Sequence, residues 1–253
     1  LGMDWTRLPG KTVSELSVES AAQVGSVDYA APITNGPNSV GFDRYFGISA
    51  SLDMVPYAFI ENDRVTKLPT LTRAFPMHPP HAGEARPGPT APGFEVEHVL
   101  PEFTRQAVRY IDERAKTGQP FFLYLPLASP HTPIAPNKEW IGRSGLNLYA
   151  DFVMETDWAV GEVLAALDRN GVDRDTIVIF TSDNGCSPQA GTPALDKQGH
   201  FASAEFRGYK ADIWEGGHRV PFLARWPDKI KSASTSAQLI CHVDLLATCA
   251  EIL

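Results

Sequence analysis

Residues 175–185 read Asp-Thr-Ile-Val-Ile-Phe-Thr-Ser-Asp-Asn-Gly, and the fold class turns on this stretch. The unbroken apolar or β-branched run from Thr176 to Phe180 predicts a strand buried on both faces, as in a parallel sheet covered by helices. It empties into the polar turn Thr181-Ser182-Asp183-Asn184-Gly185. In open α/β sheets, ligands gather outside the carboxyl ends of the strands. Asp183 and Asn184 place two hard oxygen donors side by side at such an end, a set that suits Ca2+ or Mg2+ better than zinc. The same residue types also make a good turn, so the stretch by itself leaves both readings open.

Working upstream, residues 148–170 carry the longest amphipathic pattern of the chain. Phe152, Glu155 or Thr156, Ala159, Val160, Val163, Leu164 and Leu167 mark one face, and Asn170-Gly171 supplies the stop. Glu155 and Asp157 read as surface charge or a packing ion pair. Before this helix, Pro120-Phe121-Phe122-Leu123-Tyr124-Leu125-Pro126-Leu127 predicts a second buried strand. It too ends in a polar turn, Ala128-Ser129-Pro130-His131-Thr132-Pro133. Prolines on either side of His131 fix the backbone without a sheet ladder, which leaves a structural and a catalytic histidine both open. Strand, helix and strand in this order form a crossover unit. The predicted architecture is α/β, a mostly parallel central sheet with helices on both faces. A further helix is expected from Pro101, with Phe103, Ala107, Val108, Ile111 and Ala115 at helical spacing and Gly118 past its end.

The remaining segments are less regular. Residues 1–47 are punctuated by Gly and Pro, and residues 41–47, Gly-Phe-Asp-Arg-Tyr-Phe-Gly, read as apolar anchors for a loop. Residues 67–93 are Pro/Gly-rich without periodicity, which predicts a recognition loop or a linker inside the domain. His78, His81 and Arg86 lie there and are expected to be solvated. Downstream come Arg207-Gly208-Tyr209-Lys210, Glu215-Gly216-Gly217-His218-Arg219-Val220-Pro221, a strand from Phe222 to Trp226, and the start of a helix after His242.

A net charge of −8 spread along 253 residues argues against nucleic acid or an anionic membrane as the main partner. Three cysteines are too few for a disulfide framework, and no run is long and apolar enough to span a bilayer. The chain opens without an initiator Met and closes inside an apolar helical pattern. Residues 1–253 are therefore expected to be the central portion of a larger catalytic domain, cut at both ends.

Four segments in this order resemble the sulfatase family of the alkaline-phosphatase-like superfamily. They are Ser129-Pro130-His131-Thr132-Pro133, Thr181-Ser182-Asp183-Asn184-Gly185, Gly208-Tyr209-Lys210 with Glu215-Gly216-Gly217, and Arg219-Val220-Pro221. The resemblance implies a sulfuric ester hydrolase acting on aryl or carbohydrate sulfates. It implies that Asp183 and Asn184 ligate a divalent cation, usually Ca2+, and that His131 contacts the bridging oxygen and protonates the leaving alcohol. Lys210 is implied to bind the sulfate, with Glu215 and Arg219 as structural support.

The family's nucleophile is a formylglycine made by a maturation enzyme within Cys/Ser-x-Pro-x-Arg, and that motif is absent from the sequence. Cys186-Ser187-Pro188-Gln189-Ala190 begins like it, but Ala190 stands in the arginine's place and the segment follows the metal pair. Cys186 is read as an ordinary loop thiol. The upstream Asp-Asp ligands are not matched either, so nucleophile and remaining ligands are expected outside this chain. Sulfated small molecules or glycans are the implied partners, and a periplasmic, secreted or lysosomal compartment is implied by resemblance alone. The alternatives are a phosphodiesterase or phosphonate hydrolase of the same superfamily and an inactive homologue that binds sulfated ligands.

Overall fold

Two long helices, α1 (Val99–Ala115) and α2 (Leu148–Arg169), lie against one another in the most extensive contact between any two elements. The structure is a computed structural model that describes residues 3–10, 25–78 and 83–253; His81 lies outside the described residues. Helix α1 begins at Val99, ahead of Pro101, and buries Phe103, Ala107 and Ile111 at helical spacing. Helix α2 starts where Asn147 accepts a hydrogen bond from the Ala150 N–H, satisfying one of the orphan amides of its first turn. Asp112 on α1 joins the far ends of both helices, accepting from Arg169 at 2.8 Å and from Asn170 at 2.6 Å.

The main core collects Leu52, Tyr57, Phe75, Phe94, Val99, Phe103, Ile134 and Phe152. A smaller cluster of Ile111, Ala166 and Leu167 continues between the helices and takes up Phe121, Leu123 and Val178. The glycine-bounded segment at 41–47 supplies an anchor as expected. Phe46 stacks on Phe59 with ring centroids 5.4 Å apart and meets Phe103 edge-on at 6.3 Å.

The chain is α/β, and its strands are short. Strands β1 (Phe46–Gly47), β2 (Ile60–Glu61) and β3 (Arg64–Val65) form an antiparallel sheet, with Asn62 in the left-handed conformation at the tight turn. Strands β4 (Leu71–Arg73) and β5 (Gly88–Thr90) pair antiparallel, as do β6 (Val178–Thr181) and β7 (Phe222–Arg225). Parallel pairing among the described residues is limited to the bridge between Tyr57 and Thr90.

Two expectations need correction. Within residues 67–93, the described parts are not structureless, since β4 and β5 pair there. Phe75 is fully buried and edge-on to Tyr57 at 4.9 Å, the Tyr57 hydroxyl donates to the Arg86 carbonyl at 2.6 Å, and Arg73 pairs with Glu95. Strands of three residues are too short to show a period, so a single buried aromatic organises a segment that reads as loop. Secondly, neither long apolar run is buried on both faces. Residues 121–127, expected to be a strand, join no sheet among the described residues; their exposure alternates, with Phe121, Leu123 and Leu125 against the core while Phe122 and Tyr124 are 66% and 63% exposed. In β6, Phe180 is likewise exposed. Successive side chains of a strand point to opposite faces, so an all-apolar run shows that both faces tolerate burial without showing what covers the second.

Candidate active site

The carboxyl end of β6 runs into Ser182, Asp183, Asn184 and Gly185, and this turn is locked onto residues 207–217 by backbone contact. The Gly185 N–H donates to the Gly217 carbonyl at 3.0 Å, and the Lys210 N–H donates to the Cys186 carbonyl at 2.8 Å. The Gly216 N–H closes the second segment on itself by donating to the Arg207 carbonyl at 2.8 Å. These approaches are close enough to require glycine. A Cβ on Gly185 would overlap the Gly216 carbonyl oxygen, and one on Gly216 would overlap the Gly208 carbonyl oxygen. The separated glycines of the sequence thus serve a single purpose, bringing two main chains together so that Asp183, Asn184 and Lys210 stand on adjoining turns.

His131 reaches the same region by another route. Its turn is closed by the His131 N–H donating to the Ala128 carbonyl at 3.2 Å, and Thr132 is buried and donates to Gln189 Oε1 at 3.3 Å. Gln189 belongs to the segment that follows the Asp183–Asn184 turn, and Asn147 fastens that segment again by donating to the Ala190 carbonyl at 2.9 Å. The ring is oriented too. His131 Nδ1 lies 2.7 Å from the Thr132 carbonyl oxygen, which can only accept, so Nδ1 carries the hydrogen and Nε2 is left for exchange.

Asp183 is exposed, and its carboxylate makes no hydrogen bond or ion pair with a described residue. Asn184 is half-buried and donates through Nδ2 to the Gly185 carbonyl at 3.0 Å, which leaves Oδ1 free. Two free hard oxygens fit a divalent cation such as Ca2+ or Mg2+, although such ions take six or more ligands. Among the described residues no group of three or more His, Cys, Asp or Glu is placed to hold a metal ion. The half-buried Lys210 ammonium likewise has no partner among the described residues.

Around this turn the charged side chains pair with one another and with aromatic rings. Glu215 and Arg219 pair at 2.5 Å across α3 (Glu215–His218), and Arg219 lies over the Phe206 ring at 4.6 Å. Arg207 covers Trp214 at 3.9 Å. Cys186 is half-buried, and burial pushes its thiol up from the ordinary range, the opposite of what a reactive thiolate needs. All three cysteines are free.

Reading the sequence missed Gln189 and misplaced Glu155. Glu155 is fully buried, not a surface charge, and accepts from the Asn137 N–H at 2.8 Å and from Asn137 Nδ2 at 2.6 Å. Its position in the apolar stripe, between Phe152 and Ala159, was the available signal. Nothing in the sequence singles out Gln189.

Comparison with known proteins identifies the family. The chain is 31% identical over 264 residues to an N-acetylgalactosamine-6-O-sulfatase of Bacteroides thetaiotaomicron, an alignment covering 90% of this chain and 51% of that relative. It is 39% identical over 139 residues to the steryl-sulfatase of Mus musculus, covering 55% of this chain and 22% of the relative. A solved structure concerned with the metabolism of multiple glycosaminoglycans by Bacteroides thetaiotaomicron superposes with a TM-score of 0.77 at 29% identity, covering 90% of this chain and 54% of that one. The chain thus spans about half the length of the first of these relatives, and its fold is the alkaline-phosphatase-like fold of its structural neighbours. Residues 29–253 match the sulfatase family model, and the chain belongs to the sulfatase family.

Proposed function

We propose that the protein containing this chain hydrolyses sulfuric esters of carbohydrates or aryl alcohols, and that this chain supplies the proton donor, the sulfate-binding cation and part of a metal shell. The observation that carries the reading is the backbone interlock that sets Lys210 beside the Asp183–Asn184 turn, with His131 tied in through Thr132 and Gln189. The relatives named for sulfated amino sugars and steroids support the substrate class.

Sulfuryl transfer builds negative charge on the non-bridging oxygens and on the departing alcohol oxygen, so catalysis needs positive charge and a proton aimed there. Lys210, with no competing partner among the described residues, places an ammonium on the non-bridging oxygens. As the bond between sulfur and the leaving oxygen breaks, His131 in its protonated form gives the Nε2 proton to that oxygen, while Nδ1 stays fixed by the Thr132 carbonyl. Asp183 and Asn184 would hold a divalent cation together with ligands from outside this chain, and such an ion would supply positive charge to offset that of the sulfate. The nucleophile, a formylglycine installed by a maturation enzyme, belongs to a Cys/Ser-x-Pro-x-Arg segment outside this chain. A periplasmic, secreted or lysosomal setting follows the family. Among the described residues no helix is long and apolar enough to cross a membrane.

The proton-donor role is tested by varying the leaving group in the mature full-length protein. His131→Ala is expected to lower kcat/KM on phenyl or sugar sulfates by about a hundredfold or more, and on 4-nitrophenyl sulfate by less than about tenfold. Equal losses on both classes would remove His131 from proton donation.

A further inference from the structure

Helix α2 grips both ends of the segment that carries His131. At the near end, the Ser129 and Thr156 hydroxyl oxygens lie 2.8 Å apart, and Thr156 also lies 2.8 Å from the Phe152 carbonyl. A carbonyl only accepts, so Thr156 donates to it and the Ser129 hydroxyl donates to Thr156. At the far end, the Glu155 carboxylate takes both the main-chain N–H and the side-chain amide of Asn137, and the same amide donates to the Glu97 carbonyl at 2.7 Å. Between these fixed points run Pro130, His131, Thr132, Pro133, Ile134, Ala135 and Pro136, of which Thr132 to Pro136 are buried.

A carboxylate buried to this degree is costly, and burial raises Glu155 above the ordinary carboxylate range even though Asn137 offsets part of the cost. An apolar residue at this position of the stripe would pack without that cost. What the carboxylate adds is two directed bonds to one residue, and they fix where the His131 segment ends.

We propose that Glu155 and Thr156 are positioning residues for His131, holding the two ends of residues 129–137 so that the imidazole Nε2 meets the leaving oxygen. The proposal rests on His131 being the proton donor. A general acid loses effect steeply when misplaced, because proton transfer requires hydrogen-bond reach to the leaving oxygen. Loosening either end should therefore reproduce, in weaker form, the loss of the acid itself.

The test uses the mature full-length protein with 4-nitrophenyl sulfate and phenyl sulfate as probes. Thr156→Val replaces the hydroxyl with a methyl group of the same shape. Glu155→Gln keeps the volume but turns an NH2 toward a donor, so one of the two bonds to Asn137 is lost. Each variant is expected to lower kcat on phenyl sulfate about tenfold and on 4-nitrophenyl sulfate by no more than about twofold, with KM unchanged. In a His131→Ala background, Glu155→Gln should cost nothing further on phenyl sulfate, because the residue it positions is gone.

Equal losses on both substrates, or a further loss in the His131→Ala background, would overturn the positioning role. Thr156→Val covers the case in which Glu155→Gln does not fold. If His131→Ala shows the leaving-group bias and the clamp variants do not, the clamp alone fails. If His131→Ala shows no bias, the proton-donor reading fails and the clamp with it.

Discussion

Asp183→Ala is expected to abolish divalent-cation binding and turnover together while leaving the fold unchanged. The carboxylate is exposed and makes no hydrogen bond or ion pair with a described residue, so its removal takes away no internal interaction. With chelator present, variant and parent should unfold at the same temperature. With Ca2+ present, the parent alone should gain stability, by about 2.7 kcal/mol at a free Ca2+ of one hundred times Kd. Turnover of 4-nitrophenyl sulfate should fall about a thousandfold or more, since an electrostatic partner of the transition state is lost and its place fills with water. A variant that keeps both full metal occupancy and the Ca2+-dependent stabilisation would remove Asp183 from the metal shell.

Gly185→Ala is the most damaging single-methyl change expected in the described structure. The added carbon would be driven into the Gly216 carbonyl oxygen, and neither partner can move without parting the Asp183–Asn184 turn from the Lys210 segment. Strain of this kind, against main chain and not against a flexible side chain, costs about 3 kcal/mol or more. Activity should fall further than stability, because the displaced turns carry three of the proposed functional residues. Gly161→Ala provides the contrast. It lies inside α2 with nothing within 4 Å of the added carbon, and there alanine should stabilise by about 0.5–1 kcal/mol. Thermal melts of the two variants, run beside the parent, check both signs. A Gly185→Ala protein as stable and active as the parent would show that the interlock is not needed.

The two long helices and the polar turns were legible in the sequence. The amphipathic stripe gave α2 nearly to the residue, and the ordered motifs put Asp183, Asn184, Lys210 and His131 into one reading. What the sequence did not disclose was relational. That Gly185 packs against the main chain of Gly216 and Gly217 is a fact about two segments meeting, and no local pattern encodes it. The hairpin of β4 and β5 escaped notice because it hangs on Phe75 and on an aromatic cluster whose other members lie at positions 57 and 94. Glu155 was visible as a polar residue in an apolar stripe, yet its partner Asn137 is 18 residues away, and helical periodicity identifies a face without naming its neighbours. The exposure of Phe122 and Phe180 has the same origin, since composition reports what a face tolerates and not what lies on it.

The central claim is sulfuric ester hydrolysis assisted by a divalent cation. Its most direct test is turnover of 4-nitrophenyl sulfate against 4-nitrophenyl phosphate by the full-length protein, coexpressed with a formylglycine-generating enzyme and assayed with and without chelator. Sulfate turnover that chelation abolishes and Ca2+ restores is expected, with phosphate turned over poorly or not at all. Turnover of the phosphate alone would contradict it in favour of phosphoryl transfer, and no turnover of either ester would leave a protein that only binds sulfated ligands.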